Sequence, residues 1–227
     1  MTVRKRVVIK LSGRLFGDKA WPELGRYAKM LQQISSTVQP VAVAGGGAVA
    51  RRYITAARKF GADEATLDGV GIEVSRLNAR LLISALGGSA YPSVPDDLDA
   101  VLSAAETGRI VVTGGLHPGQ STNATAALIA EKIKASKFIN ATDVNGIYDS
   151  DPNKNRKARM FKEITVTECL SLLGEENSSA GEYDLIDLVA LKVIERSKLP
   201  TVVLRSDVST IKAAVDGKPV GTRIVSG

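Results

Sequence analysis

Short apolar runs alternate with longer amphipathic ones along most of this chain. Val7–Leu11, Pro40–Ala44, Arg109–Thr113, Phe138–Ala141, Pro200–Leu204 and Thr222–Val225 are brief and rich in β-branched residues, the pattern of buried strands. Between them lie runs of helical period. Pro22 opens one whose apolar positions are Leu24, Tyr27, Ala28, Leu31 and Ile34, a 3.6-residue rhythm with proline at the start. Further helices are expected over Ala48–Phe60, Asp96–Thr107, Asn123–Ala135, Thr167–Leu173 (capped by Thr165 or Thr167), Asp187–Ser197 with apolar positions Leu188, Leu191, Val193 and Ile194, and Ser209–Val215. In Ile72–Leu86 the residues Val74, Leu77, Leu81, Leu82 and Ala85 are expected to share one face. Ahead of it, Leu67-Asp68-Gly69-Val70-Gly71 reads as a glycine-punctuated segment. Ala90-Tyr91-Pro92 suits a short edge strand, since proline blocks a central one. Asn145-Gly146 is a hairpin signal. Asn153–Arg159 reads as a basic surface loop and Glu176–Gly181 as a flexible polar one. Strands alternating with helices imply an α/β fold, a three-layer sandwich around a mainly parallel sheet. Ligands of such sheets sit at the carboxyl ends of the strands.

Chemistry concentrates where apolar runs meet glycine. The run ending at Ala44 breaks into Gly45-Gly46-Gly47, and a helix former with Arg51 follows. A strand, a glycine turn and a helix N-terminus make a phosphate cradle from amides and dipole, and Arg51 adds a fork of donors. The pattern is neither a Walker loop, since no Gly-Lys-Ser/Thr follows, nor GxGxxG. Lys10 lies in an apolar strand just before Ser12-Gly13, with Arg14 beyond. A lysine in that setting is costly unless it meets an anion. A second cradle is Gly114–Thr122, a glycine loop with hydroxyls at the next helix start. Two such sites suggest two phosphorylated ligands, or one spanning both. Asp68 suits a helix cap or a ligand contact equally well. His117, the lone histidine, sits beside Pro118 and is read as part of the loop's shape, not as a base or metal ligand.

Composition narrows the partners. The 227 residues can bury a substantial core as one domain. A net charge of +6 is scattered, without a Lys/Arg run, and aromatics are only 4%. That fits a small anionic ligand at least as well as nucleic acid. The single cysteine, Cys169, allows no intrachain disulfide and reads as a small apolar helix residue. The basic N-terminus leads into a strand rather than a signal-peptide core, and no stretch reaches membrane-spanning length. A cytoplasmic protein is expected.

Four segments in order, Lys10–Arg14 (KLSGR), Ala44–Arg51 (AGGGAVAR), Thr113–Thr122 (TGGLHPGQST) and Thr142–Pro152 (TDVNGIYDSDP), resemble the amino acid kinase family, nearest its archaeal-type uridylate (UMP) kinases. The likeness runs from Val7 to Val225, so residues 1–227 would form one amino acid kinase-like domain. Its acceptor-binding part is about 1–140 and its ATP-binding part about 141–227. The resemblance implies transfer of a phosphoryl group from ATP to UMP with Mg²⁺, in a homohexamer, with neither nucleic acid nor membrane as partner. It implies ATP against Lys10, Leu11, Ser12, Gly13, Arg14, Gly47, Arg51, Thr142, Tyr148 and Asp151. It implies UMP against Gly46, Asp68, Leu116, His117, Pro118, Gly119, Gln120, Ser121 and Thr122, Asp68 meeting the ribose hydroxyls. Asp143 would orient the catalytic lysine, so Lys10, Arg51 and Asp143 form the catalytic set. No side chain is assigned as a metal ligand; Mg²⁺ would ride on phosphate oxygens and water. Two positions depart from the family pattern. The turn reads Ser-Gly-Arg where many relatives have Gly-Gly-Ser, so Arg14 is either an extra phosphate ligand or a solvent-facing residue. Asn145 stands where the family usually has aspartate and is read as a turn residue.

Overall fold

The computed structural model describes residues 4–17, 20–152, 154–176 and 185–225. Seven strands, β1 (Arg6–Leu11), β2 (Gln39–Ala44), β3 (Val111–Thr113), β4 (Lys137–Thr142), β5 (Glu163–Thr165), β6 (Thr201–Arg205) and β7 (Thr222–Val225), form one sheet in the order β3-β2-β1-β4-β6-β7-β5. Every pairing is parallel except β6 with β7. Among the described residues eight α-helices connect them: α1 (Trp21–Ile34), α2 (Gly47–Lys59), α3 (Glu64–Leu86), α4 (Leu98–Glu106), α5 (Thr122–Lys132), α6 (Val166–Glu176), α7 (Leu188–Ser197) and α8 (Val208–Val215).

Alternation along β1 sorts the core into two layers. Val7, Ile9 and Leu11 pack with α1, α3 and α8, while Val8 packs on the opposite face with α4, α5 and α7. Lys10 shares the face of Val8, and its register partner on β4 is Asn140. The connection from β1 runs through α1 on one face to β2, and the one from β3 runs through α5 on the other face to β4. The order therefore reverses between β1 and β4, which opens a crevice at their carboxyl ends. Cys169 is buried, and burial, aided by the Glu168 charge, pushes its thiol up to about 12. No helix among the described residues is long and apolar enough to cross a membrane.

Several expectations need correction. The glycine-punctuated segment before Ile72 is helical: α3 starts at Glu64, capped by Asp63 through its bond from the Thr66 amide (2.8 Å), and runs through Gly69 and Gly71. Asp68 is thus inside the helix and is not its cap. Within α3, Val74 and Leu82 face the core, but Leu77, Leu81 and Ala85 are exposed. They form a separate i, i+4 row, and Ser75, Asn78 and Ala79 complete the buried stripe instead. Leu188, in the first turn of α7, is likewise exposed. Asn145-Gly146 does not close a two-strand hairpin; Tyr148 makes one isolated bridge to Met160 beyond a longer loop. Ala90 similarly makes only a single bridge, to Ile110. The short strand β5 has only Ile164 buried, too little apolar signal to stand out. Lys154–Arg159 is a largely exposed loop, as expected. Glu176 ends α6, and the rest of the expected Glu176–Gly181 loop lies outside the described residues.

Candidate active site

The carboxyl ends of β1 and β2 turn out of the sheet side by side. After β1, Ser12 accepts a bond from the Arg14 amide (3.4 Å) and starts a 3₁₀ turn over Gly13–Phe16. After β2, the Gly45 amide donates to the Leu11 carbonyl (3.1 Å), and Gly46 leads into α2. Buried Asn78 of α3 donates to the carbonyls of Gly45 (2.8 Å) and Gly46 (3.3 Å) and fixes this turn from below. Gly47 has φ +66°, a conformation that favours glycine, and its backbone presses on that of Gly13. No side chain caps α2. Its first-turn amides therefore point into the crevice with the positive end of the helix dipole.

The exits of β3 and β4 close the other sides. The Gly115 amide donates to Ser75 Oγ (2.8 Å), and the Gly119 amide to Asp68 Oδ2 (2.7 Å), so α3 holds the second glycine loop at two points. Ser121 caps α5 by accepting from the Ala124 amide (3.0 Å), and its hydroxyl donates to Asp187, the cap of α7. After β4, Thr142 accepts from the Val144 amide (3.3 Å), and Asp143 pairs with Arg14 at 2.8 Å. This pair is exposed, 71% for Arg14 and 41% for Asp143.

Two clefts meet here, and a third of about 350 Å³ adjoins the larger of them through Ser12, Arg14, Thr142 and Asp143. The larger, about 550 Å³, is lined by Lys10, Ser12, Gly13, Arg14, the three glycines 45–47, Arg51, Ser121, Thr122, Asn123, Thr142, Asp143 and Leu185. The smaller, about 240 Å³, lies between α2, α3 and the Gly115–Thr122 loop and includes Asp68 and Gln120. Gly46, Gly47, Arg51, Ser121 and Thr122 line both. Arg51 thus stands on their shared wall, with no ion-pair partner among the described residues. The expected catalytic set, Lys10, Arg51 and Asp143, comes together in the larger cleft.

Other expected residues lie outside these linings. Leu11 and Leu116 bury their side chains in the core on opposite faces. His117, Pro118 and Gly119 are exposed on the loop, and Tyr148 and Asp151 lie further along the segment leaving β4.

Sequence reasoning passed over the polar residues beneath the loops. Asn123 and Asn140 both donate from Nδ2 to the Leu185 carbonyl, at 3.2 and 2.8 Å. Their Oδ1 atoms are buried without a partner, as is Oε1 of Gln120. An unsatisfied buried carbonyl costs about 1–3 kcal/mol, so these oxygens are natural contact points for a donor on a ligand or on a rearranged side chain. The sequence signal was asparagine at apolar-period positions: Asn140 in a strand, Asn78 in the inner stripe of a helix. Asp187 could have been found as an aspartate directly before an apolar helix.

Among the described residues no cluster of three or more His, Cys, Asp or Glu side chains could hold a metal. Among the described residues Asp143 is the one carboxylate lining the larger cleft. Such a donor set suits a cation that arrives already coordinated by phosphate oxygens.

A profile of the amino acid kinase family matches residues 5–205. Uridylate kinase from Methanobrevibacter smithii is 40% identical over 223 residues, covering 97% of this chain and 99% of that protein. Uridylate kinase from Methanothermobacter thermautotrophicus is 43% identical over 222 residues, covering 97% and 99%. The crystal structure of uridylate kinase from Archaeoglobus fulgidus superposes with a TM-score of 0.88 at 40% identity, covering 96% of this chain and 99% of that one. UMP kinase from Ureaplasma parvum shares the fold at 21% identity, with a TM-score of 0.82.

Proposed function

Since the chain belongs to the amino acid kinase family, we propose that it is a uridylate kinase, transferring the γ-phosphoryl group of ATP to UMP to give ADP and UDP. The observation that carries this reading is the pair of clefts meeting at Arg51 and the Gly46–Gly47 turn. One cleft takes the donor, the other the acceptor, and the shared wall lies where a phosphoryl group would cross.

The acceptor is a phosphate oxygen, already a nucleophile, so no general base is needed. The oxygen of UMP forms its bond to the γ-phosphorus as the bond to the bridging oxygen of ADP breaks. The obstacle is bringing two polyanions together and stabilising the charge in flight, which positioning and preorganised cations supply. Lys10 meets the transferring phosphoryl group. Arg51 and the α2 amides hold the oxygens on either side of it. Asp143 is a positioning residue that keeps the cations of the β1 turn in place, Arg14 by direct contact. An exposed ion pair contributes only about 0–1 kcal/mol, so ATP can draw Arg14 onto its phosphates without destabilising the fold. Asp68 reads the ribose hydroxyls of UMP and braces the Gly119 turn. Thr142, Asp143 and Ser12 are among the oxygen-bearing side chains that would stand beside a Mg²⁺ arriving on the ATP phosphates, and such an ion would supply further neutralisation of their charge.

The enzyme acts as a homo-oligomer, a hexamer by family likeness, in the cytoplasm, where UDP feeds pyrimidine nucleotide synthesis. Support for self-association is a set of large apolar side chains exposed on α2, at its end and on α3. Tyr53 is 61%, Phe60 89% and Leu77 62% exposed, an arrangement a second copy would cover. Light scattering giving only the mass of a single chain would refute it.

The deciding experiment is coupled ADP release with UMP, CMP, acetylglutamate, carbamate and isopentenyl phosphate as acceptors. UMP is expected to be turned over with the highest kcat/KM. Preference for another acceptor would reassign the substrate, and nucleotide binding without turnover of any would make this a non-catalytic nucleotide-binding protein.

A further inference from the structure

The edge of the sheet opposite the clefts, where β4 and β6 begin and β7 ends, holds another cavity of about 470 Å³. That volume is within the range of small-ligand sites. Its inner wall is apolar and built on the core, with Val202 and Ile224 buried. Its polar lining is cationic. Lys137 comes from the first position of β4, Lys198 from the end of α7, Lys218 from the turn after α8, and Arg223 from β7. No carboxylate among the described residues lines the cavity.

Helix ends explain part of this charge. Lys198 and Lys218 sit at the carboxyl ends of α7 and α8, where cations are favoured. They do not explain the two strand residues. Arg223 pairs with Glu163 at 3.0 Å. Lys137 has no carboxylate; its Nζ donates to the neutral Ala214 carbonyl at 2.6 Å. Burial, with Arg223 nearby, lowers its pKa. None of the three lysines has an ion-pair partner among the described residues. With Glu163 and two helix dipole ends of about half a charge each set against the four cations, roughly two positive charges remain uncompensated among the described residues.

We propose that this cavity is a binding site for a phosphate monoester with an apolar or ring-shaped body, separate from the catalytic clefts. A monoester carries about −1.5 to −2 charges near neutral pH, which matches the excess, whereas a single carboxylate would leave half of it. Arg223 supplies a planar fork for phosphate oxygens and Lys137 a point charge. The body of the ligand lies on the apolar wall. Unlike the functional reading above, the site requires nothing of the reaction catalysed.

The probe is 1-naphthyl phosphate, titrated by calorimetry into the full-length protein with both clefts saturated by UMP and a non-hydrolysable ATP analogue. One equivalent per chain is expected to bind despite the nucleotides. 1-Naphthol and inorganic phosphate should each bind at least tenfold more weakly. Lys137→Met should weaken the probe at least tenfold, and Lys218→Gln, on an exposed turn, about threefold, with circular dichroism unchanged. The proposal fails if the probe does not bind, if the nucleotides displace it, if 1-naphthol binds equally well, or if a folded variant binds like the parent. If Lys137→Met does not fold, Lys218→Gln decides the matter alone.

Discussion

Gly13, in the turn after β1, and Gly47, in the turn after β2, meet backbone to backbone. A Cβ on Gly13 would lie 2.1 Å from the Gly47 nitrogen, and one on Gly47 would lie 2.2 Å from the Gly13 carbonyl oxygen. Neither position tolerates a side chain without moving backbone. The two loops are one rigid unit, and the spacing between Lys10 and Arg51 depends on that contact.

Gly13→Ala should therefore separate the loops. A stability loss of about 1–3 kcal/mol is expected from the forced shift, with kcat/KM for both substrates reduced at least tenfold. Thermal unfolding and steady-state kinetics would check both. Gly25, whose added Cβ would meet nothing within 4 Å, is the control: Gly25→Ala should leave kinetics unchanged.

Lys10→Met should lower kcat about 10²–10³-fold, the loss of a charge contact of about 3–4 kcal/mol, while both KM values change little. Methionine keeps the apolar stem, so the fold should persist by circular dichroism. Arginine should not restore the rate, since its planar fork does not fit a point-charge site. A folded Lys10→Met enzyme with near-normal kcat would remove Lys10 from the mechanism and leave Arg14 as the cation to test.

Asp68→Asn should raise KM for UMP more than for ATP. Asparagine keeps one acceptor oxygen for the Gly119 amide but loses the charge and half the acceptor capacity offered to ribose hydroxyls. dUMP should be the poorer acceptor in the parent. An unchanged KM for UMP would argue against ribose contact by this carboxylate.

Thr165 and Glu168 form a reciprocal cap at the start of α6. The Glu168 amide donates to Thr165 Oγ1 (3.2 Å), and the Thr165 amide donates to Glu168 Oε2 (2.8 Å). These bonds from Thr165 hold the Glu168 carboxyl below its usual range. A lowered carboxylate pKa stabilises the fold above the unfolded value, and that contribution is lost as pH falls through the folded one. Glu168→Ala should thus lower Tm at pH 7, and the gap to the parent should close as the carboxyl protonates in acid. Thr165→Ala should cost about 1 kcal/mol. Chemical denaturation at several pH values would test both.

Strands and glycine loops were readable because burial on both faces and sharp exits leave local marks: β-branched runs, then Gly-Gly-Gly or Gly-Gly. Lys10 stood out for the same reason, a charge where the period demands an apolar residue. What the local pattern could not carry was the choice between two stripes of one helix. Leu77, Leu81 and Ala85 look like core by composition, yet Ser75 and Asn78 face inward because the glycine loops need donors and acceptors at those points. Gly69 and Gly71 read as punctuation, but tertiary packing holds α3 together through them. The link from Ser121 to Asp187 joins residues far apart in sequence, and no spacing rule reaches that far.

The place of β1 has a consequence for how the chain is made. β1 is synthesised first, yet one of its two neighbours, β4, follows only after β2, β3 and their helices. A nascent chain therefore carries a central strand with one open edge until β4 has emerged. Such non-local pairing slows folding and leaves an adhesive edge exposed meanwhile. A ribosome stalled between α5 and β4 would present that edge to chaperones or to other nascent copies, and β4 is the segment whose arrival ends the exposure.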